Sequence, residues 1–180
     1  MAIFKGDYTI TNLQSKTRVD LKDGNNLHIL QRYDFESHNT ILLGNNEDGT
    51  RVHGWEPLTS KNEDYLNQVW HIMPTDRTGA DSHHIVNVGT GTYLEIGEGN
   101  TTDGTPVTCS NKAAEPTPSY QEWEFIKIKD NYYKARNLGS GTYLEIDEGS
   151  SANGAKIQGR GEVDTNENQL WVFDVISAHK

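Results

Sequence analysis

The 180-residue chain has one cysteine, two methionines, four phenylalanines and five prolines, and its 16 basic residues are outnumbered by 26 acidic ones. Each shortage excludes something. A lone Cys109 can neither close an internal disulfide nor build a cysteine-based zinc site. The N-terminal MAIFKGDYTI has no basic segment followed by an apolar run, so no secretory signal is legible and a cytoplasmic location is expected. No stretch approaches the roughly 20 apolar residues that cross a bilayer, so membrane insertion is not expected. The net charge of −10 repels phosphate backbones, which makes nucleic acid a poor partner. With 33% hydrophobic residues the core is modest. The length suits one domain over residues 1–180, burying roughly 70% of the unfolded chain's surface.

Repetition is what the sequence does have. Residues 137–149 read NLGSGTYLEIDEG and residues 87–99 read NVGTGTYLEIGEG; a weaker copy, NLQSKTRVDLKDG, occupies 12–24. Asn12, Asn87 and Asn137 each precede an acid by eight positions, namely Asp20, Glu95 and Glu145. Downstream come DGTRVHGW at 48–55, DGTPVTCS at 103–110 and NGAKIQGR at 153–160. The Asp-Gly and Asn-Gly pairs predict hairpin turns with positive φ at both central residues. Each copy closes on Gln-x-Trp: Gln68 to Trp70, Gln121 to Trp123 and Gln169 to Trp171.

Short alternating runs such as YTITN, TYLEI, EWEFIKI and LWVFDV are rich in β-branched and aromatic residues, and no window has a helical face. The expectation is an all-β chain with four strands per repeat, over about 6–75, 81–128 and 131–176. Three such repeats with pseudo-three-fold symmetry make a β-trefoil, whose copies share one core. From acid to turn glycine is 29 positions in the first copy (Asp20 to Gly49) and 9 in the others (Glu95 to Gly104, Glu145 to Gly154). An insertion of about 20 residues therefore lies within 25–46, as an added hairpin or a loop used for association.

These motifs resemble the ricin-B-type lectins with three Gln-x-Trp repeats, and most closely their mushroom members, over residues 6–176 apart from the insertion. The resemblance rests on the three Gln-x-Trp motifs, on the triplets Val19-Asp20-Leu21, Leu94-Glu95-Ile96 and Leu144-Glu145-Ile146, and on the run ending at Trp55. It implies a β-trefoil lectin, in many members a fruiting-body defence protein. The Gln-x-Trp motifs themselves read as architecture, with the Trp in the shared core and the Gln amide on nearby backbone.

A galactose-type sugar offers two vicinal hydroxyls that both donate to one carboxylate, and an apolar face that suits an aromatic plane. The resemblance places the acid in the strand triplet, the aromatic at the end of the post-turn strand and an Asn just before Gln-x-Trp. In the first repeat these are Asp20, Trp55 and Asn67, with Gly54 before the indole and His53 on the same face by strand alternation. The second repeat, with Glu95, Ser110 and Tyr120, lacks both aromatic and amide. The third, with Glu145, Arg160 and Asn168, is a weaker second site in which a guanidinium replaces the aromatic. Ser110 and Arg160 at positions equivalent to Trp55 predict an exposed indole. A second register, with Tyr33 after Gln31 as the aromatic, leaves the DGTRVHGW run without a role. Tyr33 or His38 of the insertion would edge a longer groove.

The expected function is recognition of galactose or N-acetylgalactosamine glycans, without catalysis and without cofactor. A sugar of about 12 heavy atoms at roughly −0.3 to −0.4 kcal/mol per atom binds at millimolar to a few hundred micromolar. Useful avidity then calls for a longer footprint or a homodimer. Acidic pairs such as Glu47-Asp48 and Asp147-Glu148 sit in turns rather than flanking a cleft as a glycosidase requires. Adjacent His83 and His84 point to opposite faces of a strand, so no metal site is expected. The alternative is a trefoil protease inhibitor, with Arg32 of the 25–46 segment entering a trypsin-like pocket.

Overall fold

The computed structural model describes residues 5–22, 47–77, 81–113 and 118–178. The insertion at 25–46, with Gln31, Arg32, Tyr33 and His38, lies outside the described residues. Twelve strands follow one another: β1 (Gly6–Asn12), β2 (Arg18–Leu21), β3 (Thr50–Trp55), β4 (Trp70–Pro74), β5 (Ser82–Asn87), β6 (Tyr93–Ile96), β7 (Thr105–Ser110), β8 (Trp123–Lys129), β9 (Tyr132–Asn137), β10 (Tyr143–Ile146), β11 (Ala155–Arg160) and β12 (Trp171–Ala178). The regular helical pieces among the described residues are short 3₁₀ turns, so no described helix is long and apolar enough to cross a membrane.

The pairings have three-fold logic. Strands β1, β4, β5, β8, β9 and β12 close a ring in which each pairs antiparallel with its neighbour, and closure removes the exposed edge that an open sheet presents. Hairpins β2–β3, β6–β7 and β10–β11 cap one end, touching one another through β3–β7, β7–β11 and β11–β3. This is the β-trefoil, with four strands in each lobe.

Alternation explains the core. Along β2, β6 and β10 the residues flanking each acid, Val19 and Leu21, Leu94 and Ile96, Leu144 and Ile146, are wholly buried. Trp70, Trp123 and Trp171 are also fully buried, and each indole Nε1 donates to the carbonyl just before its lobe's acid: Val19 at 3.0 Å, Leu94 at 2.9 Å and Leu144 at 2.9 Å. The lobes are stitched in a cycle by the repeated asparagines. The Asn12 side-chain amide donates to the carbonyls of Asn168 and Leu170, Asn87 to that of Asn67, and Asn137 to that of Tyr120. Each of these amides thus satisfies carbonyls of the preceding lobe's 3₁₀ turn, a long-range contact that no single repeat can make.

One local expectation is corrected. In the three Asp-Gly or Asn-Gly turns only the glycine takes positive φ, at +83° for Gly49, +86° for Gly104 and +86° for Gly154. The bonds Thr50 N–H to Glu47 O, Thr105 N–H to Thr102 O and Ala155 N–H to Ala152 O put glycine third in each turn, the pattern of a type II turn rather than a primed hairpin turn. The reason is the partner of the preceding side chain. Asp48, Asp103 and Asn153 accept from the backbone N–H of Asn111 (2.6 Å), Gly161 (2.7 Å) and Glu56 (2.8 Å), which fixes the turn onto the next lobe.

Candidate functional site

On the β2–β3 ladder Asp20 stands opposite His53 and Arg18 opposite Trp55, so these four side chains share the outward face while Val19, Leu21, Val52 and Gly54 share the inward one. Although outward, Asp20 is only 5% exposed. His53 and Asp20 are joined by a hydrogen bond, Nε2 to Oδ1 at 2.9 Å. The His53 ring in turn stacks on Trp55, with centroids 5.2 Å apart and planes 26° from parallel. Trp55 is half-buried rather than exposed as the sequence suggests, because His53 covers part of it.

Asn67 is buried on the 3₁₀ turn Glu63–Gln68, which packs against β2, and its carbonyl is held by Asn87. Gly54 presents nothing outward. It is buried, its carbonyl accepts from Gly154 N–H at 2.9 Å, and a Cβ there would lie 2.7 Å from both Ile146 Cδ1 and Thr17 Oγ1. Its role is close packing.

The equivalent acids are differently placed. Glu95 accepts from Ser110 Oγ at 2.7 Å and from Gln121 Nε2 at 2.8 Å. Glu145, fully buried, accepts from Gln158, Arg160, Asn166 and Gln169 at 3.2, 3.4, 3.0 and 2.9 Å. Both carboxylates serve the protein's own donors. In all three lobes the glutamine also bonds the backbone in the same way, Gln68 Nε2 donating to Glu56 O at 2.9 Å and its Oε1 accepting from Leu58 N–H at 2.8 Å, but Gln68 makes no bond to Asp20. Among the described residues His53 is the hydrogen-bond partner of Asp20. Arg160 keeps 47% of its side chain exposed, and Asn168 gives its carbonyl to Asn12.

The sequence reading missed Gln158 and Asn166 as donors to Glu145, and Arg18 as a member of the first-lobe face. A signal for Gln158 was present, since it occupies the strand position of His53 and Thr108. Cys109 is buried and desolvation raises its thiol far above the ordinary range, which makes it inert as a nucleophile. No cluster of three metal-ligating side chains occurs among the described residues.

The sequence profile described as ricin-type beta-trefoil lectin domain-like matches residues 3–110 and 119–179. The chain belongs to this family. No curated protein sequence matches it significantly. Among solved structures, this trefoil lectin-like domain is similar to the designed three-fold symmetric protein ThreeFoil, at 20% identity and a TM-score of 0.73, over 95% of this chain and 99% of that one. It is similar to the Rhizoctonia solani agglutinin at 18% identity and a TM-score of 0.70, over 97% and 98% of the two chains. It is also similar to the Macrolepiota procera ricin B-like lectin in complex with lactose, at 19% identity and a TM-score of 0.64, over 97% and 99%. At these identities the likeness is one of fold.

Proposed function

We propose that this protein is a lectin that binds galactose or N-acetylgalactosamine glycans at the first lobe, through Asp20, His53, Trp55 and Asn67. The observation that carries the reading is the difference among the three acids. Asp20 alone has no bond from its lobe's Gln-x-Trp glutamine, and it is the one beside an aromatic stack. Vicinal sugar hydroxyls donate to Asp20, a ring face lies on the half-buried indole, and His53 is held in place by both neighbours. The third-lobe reading with Glu145, Arg160 and Asn168 has less support, because four protein donors already occupy that carboxylate. Family membership and the lectins among the structural neighbours support carbohydrate binding in general and do not favour the protease-inhibitor alternative. The role is binding rather than catalysis, with avidity from a homodimer.

Isothermal titration with lactose tests this. Wild-type protein binds in the millimolar to submillimolar range. Trp55→Ala and Asp20→Asn each lose binding by about tenfold or more while Glu145→Gln keeps it. Retention of full affinity in Trp55→Ala would falsify the assignment.

A further inference from the structure

The face that carries Asp20, His53 and Trp55 has a member that neither other lobe shares. Arg18 lies directly across the ladder from Trp55 and two residues before Asp20, hence on the same side of the sheet. Its counterparts are Tyr93, opposite Ser110, and Tyr143, opposite Arg160. The half-buried Arg18 donates from Nη1 to the Leu58 carbonyl at 2.8 Å, and its Nε is buried without a hydrogen-bond partner. Arg77, Arg136 and Arg160 each hold a glutamate, whereas Arg18 has no carboxylate within ion-pair distance among the described residues.

Resting on the first-lobe reading above, we infer that Arg18 makes this site select galactosides that carry an anionic substituent, a sulfate ester or a carboxylate, beside the ring stacked on Trp55. The planar fork of a guanidinium matches the oxygens of either anion and forms short, charge-assisted bonds to them. A half-buried cation lacking a carboxylate partner gains more from such a ligand than a solvated one does. The net charge of −10 repels anions at long range, so the attraction from Arg18 acts at contact. Tyrosine, as in the other two lobes, offers no such charge.

The test titrates the full chain with lactose, 3′-sulfolactose and 3′-sialyllactose, and reads the ratio of anionic to neutral affinity. Wild-type protein binds at least one anionic ligand about tenfold tighter than lactose at low ionic strength, a ratio that shrinks at about 0.5 M salt. The two anionic arms identify which substituent is preferred. In Arg18→Tyr, and in Arg18→Gln as a second variant of different size, the ratio falls toward one, whatever the absolute affinities. A wild-type ratio at or below one, or an unchanged ratio in both variants, overturns the inference while lactose binding leaves the lectin reading intact. Absence of binding in all three arms overturns the lectin reading and this inference with it.

Discussion

Gln169 Nε2 lies 2.9 Å from Oε2 of Glu145, tying the Gln-x-Trp motif of the third lobe to the acid of the same lobe. Gln121 does the same to Glu95 at 2.8 Å. Gln68 and Asp20 make no such bond, and the difference has a simple chemical origin. Aspartate is one methylene shorter than glutamate, whereas the bonds of the glutamine to backbone, Gln68 to Glu56 and Leu58, are common to all three lobes. What is a structural clamp in two lobes is, in the first, a carboxylate whose partner among the described residues is a histidine.

That contrast predicts opposite stability costs. Glu145→Gln removes the charged acceptor of four donors and lowers the unfolding free energy by about 2–3 kcal/mol. Asp20→Asn disturbs the bond to His53 alone and costs less than about 1.5 kcal/mol. Urea denaturation midpoints at constant m-value measure both, and equal costs for the two variants contradict the clamp.

The three turn residues give a second prediction. Asp48 and Asp103 accept from the backbone N–H of Asn111 and Gly161, neither of which is acidic, but Asn153 faces an acid, and its Nδ2 donates to Glu56 Oε1 at 3.1 Å. Asn153→Asp therefore sets two carboxylates against each other on an exposed surface. It destabilises by up to about 1 kcal/mol at low salt, less at high salt, and Glu56→Gln restores the loss. A double-mutant cycle read by thermal melting checks this; additive effects of the two substitutions would count against it.

A third concerns pH. His83 occupies on β5 the position that Tyr8 holds on β1 and Tyr133 on β9, with its ring 5.2 Å from that of Phe125. Burial lowers its pKa below the ordinary 6.5, with Asp81 opposing and His84 reinforcing the shift. The folded state thus binds this proton less readily than the unfolded state. Its contribution to stability is complete above about pH 6.5 and is lost as pH falls through that value toward the lower folded pKa. His83→Tyr removes the contribution, so the melting-temperature difference between variant and wild type stays level above pH 7 and shifts in the variant's favour on acidification to pH 5. A difference independent of pH would rule the histidine out as the cause.

Much of the architecture was legible because it is written in local, repeated chemistry. Alternating residues around Val19-Asp20-Leu21 and its two copies announce a half-buried strand, and Gln-x-Trp announces a large ring beside an amide. The three copies confirm one another. The turns were read less well: Asp-Gly signals a positive φ at glycine, but the bond that fixes the aspartate comes from another lobe, as between Asp48 and Asn111. Trp55 was likewise expected in the open, and only the placement of the His53 ring against it reveals its partial cover. Gly54, assigned to the sugar by its place beside the indole, proves to be where Thr17 and Ile146 approach the strand.

The sequence by itself determined that twelve strands form three lobes around three buried tryptophans, since strand period, turn glycines and repeated motifs depend on neighbours a few residues apart. Only the tertiary structure decided which of three similar acids has no bond from its lobe's glutamine. That depends on whether a glutamine more than twenty residues away reaches the carboxylate, and on the length of one side chain in a closed barrel. Distances of that kind arise from packing between segments and have no counterpart in the order of the residues.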